Sequence, residues 1–353
     1  MQRLLVDQYD ITRTRLEEVA SAPLGPGQAR LKLESFALTA NNVTYAAVGF
    51  TTQYWQFFPT GIEGQGLVPV WGVAEVTQSN AEALAPGTRL YGFYPLAEEL
   101  VITPRADAQG AIVDTAPHRA DLPGVYNRYT PVRSTPEQDH MRALLQPLLA
   151  TSYLLFDWLM DNDLFGAQQV IVGSASSKTG LGLCKFLAEP AARGYGIVGL
   201  TSDRNRAFVE GSGACDRVLS YDEIDRIDDV PSVYVDMAGN GAVKAALHGH
   251  LRDRVKHSAA VGLSHWDKFE AKQDLPGAKP QFFFAPAQIA KRRAEWGPGV
   301  MEDKIAKAWK RIAGGAPDWV TVRVHHGIAA APAVYDALAT GTAQPRDGHV
   351  IRL

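Results

Sequence analysis

Residues 170–189 constrain the fold of this chain more than any other stretch. They read VIVG, then SASSKTG, then LGLCKFLAE: an apolar strand, a turn rich in glycine and serine, and a helix that follows at once. In a dinucleotide-binding fold such a turn is tight, and its backbone approaches a pyrophosphate while the free N–H groups of the helix point at the anion. The stretch therefore predicts a strand–turn–helix unit that binds a nucleotide.

The side chains of this turn are suited to hold phosphate. The candidate cofactor-binding residues are Gly173, Ser174, Ser176, Ser177, Lys178, Thr179 and Gly180. The turn departs from G-x-G-x-x-G because serines replace the middle glycines, and a serine-rich turn without a ligand is the alternative. A P-loop is excluded, because counting back from Lys178 places Val172 and Ser177 where that motif requires glycine.

Strands and helices keep alternating after this unit. Apolar runs at 196–201, 232–237 and 257–263 alternate with helical stretches at 204–211 and 241–251. This alternation predicts right-handed βαβ units and a parallel sheet that is covered on both faces. We therefore predict a Rossmann-type, doubly wound α/β domain over residues 146–314.

Both ends of the chain have β character. Residues 29–38 and 68–79 alternate apolar and polar side chains, as half-buried strands do, and residues 321–329 repeat the pattern. A chain of 353 residues is long enough for two domains. We predict a β-rich domain over residues 1–145 that is completed by residues 315–353.

The residues at the end of the second predicted strand indicate which dinucleotide binds. An NAD site needs a carboxylate there to bind the ribose 2′-hydroxyl, but the strand ends in Thr201 and Ser202. Arg204 and Arg206 follow, and guanidinium groups suit a 2′-phosphate. NADPH is therefore favoured over NADH. In the alternative, the two arginines are solvated helix residues and Asp203 begins that helix.

Charge and cysteine content argue against a nucleic-acid-binding, membrane-binding or zinc-binding protein. The 35 lysines and arginines against 38 acidic residues give a formal net charge of −3, which provides no drive toward nucleic acid or an anionic membrane. The N-terminal residues do not resemble a signal peptide, so we expect a cytoplasmic location. Cys184 and Cys215 cannot by themselves form a zinc site. The pairs His248/His250 and His325/His326 invite a metal interpretation, but nothing else groups with them, so we expect no metal.

These stretches together resemble the medium-chain dehydrogenase/reductase superfamily, in its zinc-independent quinone- and enoyl-reductase-like branch. The resemblance rests on ARLKLESFALTANNVTYAAVGF near the start, on FVEGSGACDRVLSYDE, YVDMAGN and AAVGLSHW in the second half, and on the last twenty residues. Within the branch the chain is most similar to a little-characterised bacterial family marked by SASSKTG, GLTS and VDMAGN. The implied fold is a Rossmann-type domain plus a GroES-like β-rich catalytic domain formed by both chain ends.

The resemblance implies candidate catalytic residues on one segment. The family's Asn-Pro-x-Asp reads Asn41-Asn42-Val43-Thr44 here, so the substrate cannot be carried over from better-known members. Tyr45 falls where enoyl reductases carry a functional tyrosine, which makes it a candidate proton donor. Asn41 and Asn42 are candidates for orienting the substrate or the nicotinamide. In the alternative, Tyr45 packs in the core and the asparagines make turn hydrogen bonds.

Further site residues follow from the same resemblance. The cofactor contacts implied beyond the glycine turn are Tyr221, Gly239, Asn240, Gly262, Leu263 and Ser264. His265 is a weaker candidate for contacting the substrate. Tyr54, Trp55 and Phe57 belong to an unusually aromatic loop, and if they line the substrate site they predict a planar or aromatic small molecule. In the alternative they are core residues.

The implied activity is hydride transfer from NADPH to an activated C=C bond or a quinone. The alternatives are another NADP-dependent reaction on the same scaffold (alcohol or carbonyl oxidoreduction, or elimination) and a non-catalytic NADPH-binding partner protein. Residues 281–286 (QFFFAP) predict an apolar edge strand, and the resemblance implies that this edge pairs across a homodimer.

Overall fold

The computed structural model describes residues 1–263 and 274–353, and the chain divides into two compact units. Unit 1 comprises Met1–Pro147 and Thr321–Leu353, and unit 2 comprises Leu148–Val320. The boundaries expected from sequence, after residues 145 and 314, lie slightly N-terminal of these divisions.

The first part of the chain is mostly strands. In order, its elements are β1 (Gln2–Asp7), β2 (Thr14–Glu18), β3 (Ala29–Leu38), α1 (Ala40–Ala47), β4 (Gln65–Gly66), β5 (Pro69–Ser79), β6 (Arg89–Pro95), β7 (Glu99–Ile102), β8 (Pro104–Ala106), β9 (Ile112–Asp114), β10 (Arg128–Pro131) and α2 (Pro136–Asp161). Alternate residues of the first half of β3 are buried, as its sequence period requires.

The middle of the chain alternates strands and helices, and the end returns to strands. The elements are β11 (Gln169–Gly173), α3 (Lys178–Ala188), β12 (Gly196–Thr201), α4 (Arg206–Glu210), β13 (Arg217–Ser220), β14 (Ser232–Asp236), α5 (Gly241–Leu251), β15 (Val255–Ala260), β16 (Pro280–Phe282), α6 (Ala285–Trp296), α7 (Val300–Ala313), β17 (Thr321–His326), α8 (Ala331–Ala339) and β18 (Asp347–Arg352).

The sheet of unit 1 joins both ends of the chain. Its strands follow the order β17-β18-β3-β5-β6-β10-β9-β8, with β7 also paired to β3, and a smaller sheet has the order β2-β1-β4. The returning strand β18 pairs antiparallel with β3, where Val350 lies opposite Ala37. The buried core of this unit includes Leu31, Phe36 and Tyr94.

The sheet of unit 2 is parallel, in the order β13-β12-β11-β14-β15-β16. Its central strand β11 is buried along its whole length, as expected for a strand covered on both faces. The predicted α/β fold class, with a Rossmann-type sheet and a β-rich domain from both chain ends, is thereby confirmed.

Helix α2 is the one described helix that is long and apolar enough by composition to cross a membrane. Half of its apolar window is buried inside the fold, and the core helix of a globular protein meets the same criteria.

The apolar edge strand is shorter than the sequence predicts. It ends at Phe282, because Ala285 and Pro286 already form the first turn of α6, where proline is tolerated. Phe283 is buried, whereas Phe282 is 55% exposed. The homodimer that we expect from this edge stays a prediction.

Candidate active site

The predicted cofactor residues of unit 2 meet at one edge of the parallel sheet. Gly173 at the end of β11 is in register with Asp236 at the end of β14, and Thr201 with Ser220. The chain order reverses between β11 and β14, since β12 and β13 lie on one side of β11 and β14 and β15 on the other. In open α/β sheets ligands bind at the carboxyl ends of strands at such a reversal.

The turn after β11 is closed by its own backbone and by one serine side chain. Ser174 adopts a left-handed conformation with φ of 50°, and the Ser177 N–H donates to its carbonyl oxygen at 2.9 Å. Ser177 caps α3, since its hydroxyl accepts from the Gly180 N–H at 3.1 Å. A Cβ at Gly180 would lie 2.7 Å from the Ser174 carbonyl oxygen. Only glycine at 180 therefore lets the helix start this close to the turn.

Ser176 and Thr201, which were predicted to contact the cofactor, form hydrogen bonds within the protein. The Ser176 hydroxyl accepts from the Thr201 hydroxyl at 3.1 Å and from the Asn205 amide at 3.2 Å. Thr201 is fully buried. These bonds fasten the turn to the end of β12, and a contact of Thr201 with the 2′-phosphate stays a prediction. Ser202, which follows it, is half-buried.

The two arginines differ in their surroundings. Arg206 forms a hydrogen-bonded ion pair with Glu223, which also accepts from the Ser220 N–H at 3.0 Å. This backbone hydrogen bond, together with Arg226 and Arg206, lowers the pKa of Glu223 to about 2. Arg204 is exposed. A 2′-phosphate could replace Glu223 as the partner of Arg206, but only at the expense of this ion pair.

A buried carboxylate orders the turn after β14. Asp236 accepts from the Ala238 N–H at 3.0 Å and from the Gly239 N–H at 2.8 Å, and burial raises its pKa. Gly239 has φ of 74°, and a Cβ on it would lie 2.6 Å from Leu263. Asn240 caps α5 through its side-chain oxygen. Asp236 had no role assigned from sequence, although it is the aspartate of VDMAGN.

The remaining cofactor candidates lie around this edge. Tyr221 interacts with Ser174, and burial raises the pKa of its phenol to about 12. Gly262 and Leu263 follow β15, and the Gly262 N–H donates to the Asp236 carbonyl oxygen at 3.4 Å. Lys178 and Thr179 begin α3. Ser264 and His265 lie outside the described residues.

In unit 1, helix α1 carries the candidate catalytic segment. Its N-cap is Thr39, and Asn42 completes a capping box by accepting from the Thr39 N–H at 2.7 Å. The Asn42 amide also donates to the Pro69 carbonyl oxygen at 2.8 Å. Asn42 is buried and both ends of its amide are bonded, which agrees with the alternative that the asparagines make turn hydrogen bonds; a role in orienting the substrate or the nicotinamide stays a prediction.

Tyr45 lies on the same helix, and its hydroxyl interacts with two side chains. The Trp71 indole N–H donates to the Tyr45 oxygen at 3.2 Å, and Asn41 also interacts with this hydroxyl. Burial, reinforced by the neighbouring Tyr126, holds the pKa of Tyr45 far above the usual value of a phenol. Tyr45 is therefore protonated at physiological pH, and a role as proton donor stays a prediction.

The three candidate residues of the aromatic loop, Tyr54, Trp55 and Phe57, do not line a common surface. Tyr54 packs against Tyr45 with ring centroids 4.4 Å apart and planes inclined by 43°, and its hydroxyl lies 2.8 Å from that of Tyr126. Phe57 is fully buried and packs edge-on against Phe93. The core alternative thus describes Tyr54 and Phe57 better than a substrate-lining role does.

Trp55 makes its contacts outside the aromatic cluster, which we define as Tyr45, Tyr54, Phe57, Phe93 and Tyr126. Its indole lies so close to Gly49 and Gly66 that a Cβ on either would approach it to 2.3 Å. Together with Phe50, Pro59, His118 and three further residues it lines a cavity of about 480 Å³. The Trp55 Nε1 is buried and has no hydrogen-bond partner in the part of the chain that is described. A contact of Trp55 with substrate stays a prediction.

A buried ion pair that sequence did not reveal supports the aromatic cluster. Arg119 donates to Asp114 at 2.9 Å, to the Tyr129 hydroxyl at 3.0 Å and to the Tyr126 carbonyl oxygen at 2.7 Å. Its guanidinium also lies 5.0 Å from the centre of the Phe58 ring. The only sequence signal is an arginine five residues after an aspartate, which has no pattern of its own.

The histidines that invite a metal interpretation have other partners. His248 is buried and bonds to the Pro276 carbonyl oxygen at 2.9 Å and to the Ser258 hydroxyl at 3.1 Å. His325 and His349 contact each other across neighbouring strands. Among residues 1–263 and 274–353, no group of three metal-ligating side chains comes together.

The two units have the fold of the medium-chain dehydrogenase/reductase superfamily, which solved structures share along their whole length. CurA from Vibrio vulnificus, solved in complex with NADPH, is 12% identical over 100% of this chain and 99% of its own, with a TM-score of 0.67. The quinone oxidoreductase from Coxiella burnetii is 15% identical over 100% and 99%, with a TM-score of 0.58. The yhdH oxidoreductase from Salmonella enterica, in complex with NADP, is 17% identical over 100% of both chains, with a TM-score of 0.55.

The comparison with protein-family models assigns the chain to one family. The model of the family described as "Protein of unknown function (DUF2855)" matches residues 36–344, and the chain belongs to this family. No curated protein matches the chain. The resemblance to the superfamily is thus confirmed at the level of the fold.

Proposed function

We propose that this protein is an NADPH-dependent, zinc-independent reductase that transfers hydride to an activated C=C bond or a quinone. The observation that carries the proposal is the closed Ser174–Gly180 turn at the carboxyl edge of the parallel sheet, where α3 begins. The NADPH and NADP complexes of CurA and yhdH, which share the fold, support it.

The residues that would hold the cofactor fit its charges. The turn presents Ser174, Lys178 and Thr179 to a pyrophosphate, with the N-terminus of α3 beside it. Ser202 and Arg204 are our candidates for the 2′-phosphate, with Arg206 available if its Glu223 partner is displaced. NADPH, when bound, supplies a hydride.

We assign the proton donor to unit 1. Reduction of an enone places negative charge on its oxygen and leaves a carbon that needs a proton, so a donor that is protonated at working pH is required. Tyr45 meets this requirement, because burial keeps its phenol protonated. Trp71 fixes the hydroxyl by donating to its oxygen, which leaves the phenolic proton free to be donated onward.

Cofactor binding tests the proposal directly. In a titration followed by nicotinamide fluorescence, we expect NADPH to bind more tightly than NADH. Gly180→Ala should abolish binding, because its Cβ would lie 2.7 Å from the Ser174 carbonyl oxygen. The matched control is Gly249→Ala in α5, where an added Cβ meets nothing within 4 Å, and this variant should bind as wild type does.

If the wild type binds neither nucleotide, the proposal fails. NADPH binding without oxidation by any enone, quinone or carbonyl acceptor would favour the non-catalytic alternative. Oxidation by carbonyl compounds alone would favour another reaction on the same scaffold.

A further inference from the structure

Arg142 on α2 is a half-buried cation without a counterion among the residues that the structure describes. Its Nε is buried without a hydrogen-bond partner, and within residues 1–263 and 274–353 its guanidinium forms no ion pair. The carboxylate one helical turn back, Asp139, is already paired with Arg89 at 2.5 Å. The described part of the chain thus provides an acceptor for the neighbouring Arg89 but none for Arg142.

A second unpartnered donor lies beside it. The Arg142 guanidinium is centred 5.7 Å from the middle of the Tyr91 ring. The hydroxyl of Tyr91 is buried and, like the Arg142 Nε, has no partner among the described residues. Buried polar groups are nearly always bonded, so two adjacent exceptions indicate a missing acceptor.

These two residues are linked to the proposed proton donor by direct contacts. Tyr91 stacks on Trp71, with ring centroids 5.6 Å apart and planes inclined by 23°. Trp71 in turn donates to the Tyr45 hydroxyl at 3.2 Å. Arg142, Tyr91, Trp71 and Tyr45 therefore form one continuous row within unit 1.

We propose that Arg142 and Tyr91 bind an oxyanion carried by the acceptor, so that the substrate is an anionic enone or quinone. The inference rests on the proposed reductase function. A guanidinium offers forked donors that match a carboxylate or a phosphate, and the Tyr91 hydroxyl adds a third donor. The rings of Tyr91 and Trp71 separate Arg142 from Tyr45. The substrate therefore needs a spacer between its anionic group and the bond that is reduced.

The test compares matched acceptors. A series of enones carries a terminal carboxylate at increasing distance from the double bond, each paired with its neutral methyl ester, and one member carries a phosphate instead. We expect acids with a spacer to have KM values at least about tenfold lower than their esters, in line with a charge-assisted hydrogen bond. A greater preference for the phosphate would identify phosphate as the source of the oxyanion.

Variants assign the preference to the two residues. In Arg142→Gln the ratio of the ester's KM to the acid's KM should fall to about one, and in Tyr91→Phe it should fall less. Arg128→Gln removes an arginine that has its own partner, Asp107 at 2.8 Å, and should keep the wild-type preference. Equal KM values for acid and ester in the wild type, or an unchanged preference in Arg142→Gln, would overturn the inference. So would a loss of NADPH affinity in Arg142→Gln.

A binding measurement separates this inference from the proposed function. The saturated acid, which cannot be reduced, should raise the melting temperature of wild type but not of Arg142→Gln. If this shift occurs while no acceptor oxidises NADPH, the oxyanion site stands and the reductase assignment fails. If acceptors are reduced but the saturated acid shifts neither protein, the reductase assignment stands and the oxyanion site fails.

Discussion

At the scale of single residues, Tyr45 and Tyr94 offer a matched comparison of function against packing. Both phenols are buried and both hydroxyls are hydrogen-bonded, Tyr45 to Trp71 and Tyr94 to the Leu90 carbonyl oxygen at 2.7 Å. Only Tyr45 lies on the segment that resembles the catalytic segment of the superfamily. The two therefore differ in proposed role but not in burial.

We expect Tyr45→Phe to lower the turnover of enone reduction by about 10²- to 10⁴-fold, which is the usual contribution of a positioned general acid. The free energy of unfolding should fall by about 1–3 kcal/mol, because the Trp71 N–H loses its acceptor. Tyr94→Phe should lose about 1 kcal/mol of stability and keep its turnover. Steady-state kinetics and urea unfolding of both variants check this. Equal turnover in the two variants would assign Tyr45 to packing alone.

The role of a residue can be predicted from sequence when its partners are close to it in the chain. The turn at Ser174 and Gly180 was predictable, because a strand, a turn and a helix in succession impose a geometry on a few neighbouring residues. Arg119 and Arg142 were not, since their significance depends on Tyr129 and Tyr91, which only the folded sheet brings near them. Asn42 was predicted at the site but caps a helix, because capping and substrate binding use the same amide chemistry.

At the scale of elements, the Arg119–Asp114 pair connects the segment after β9 to the end of that strand, and Arg119 also bonds to Tyr129 on β10. Both side chains are almost completely buried. Removing one partner of such a pair leaves an uncompensated buried charge, which is strongly destabilising. The pair therefore stabilises the segment that carries Tyr126, a neighbour of the proposed donor Tyr45.

Arg119→Met should lower the free energy of unfolding by about 3–5 kcal/mol, because it leaves the Asp114 carboxylate buried and unpaired. The control is Arg128→Met, whose ion pair with Asp107 is partly exposed and should contribute about 0–1 kcal/mol. Urea denaturation gives both values. A loss below about 1 kcal/mol for Arg119→Met would mean that the segment relaxes and hydrates the carboxylate.

At the scale of the whole molecule, the buried tyrosines make stability depend on alkaline pH. Burial is the main cause that holds the pKa values of Tyr45, Tyr54 and Tyr91 above the ordinary value of about 10 for tyrosine. Above that pH the unfolded chain loses these protons while the folded protein keeps them. The stabilisation is therefore fully present below about pH 10 and decreases as pH rises further.

We expect the free energy of unfolding to be insensitive to these groups near neutrality and to fall steadily above about pH 10. Tyrosinate absorbance from the buried phenols should appear only together with the loss of tertiary structure. Urea midpoints and ultraviolet difference spectra over the alkaline range check this. Ionisation of all tyrosines in the folded protein would show that water reaches the cluster.

The transfer of label from cofactor to product tests the central claim most directly. The protein is incubated with NADPH that carries deuterium at the transferable position of the nicotinamide, together with an enone acid, and the product is analysed by mass spectrometry. The proposed reductase predicts a saturated product with one deuterium on the carbon β to the carbonyl, and Tyr45→Phe should slow its formation. If NADPH is bound but no acceptor gains deuterium, the protein is not a hydride-transferring reductase.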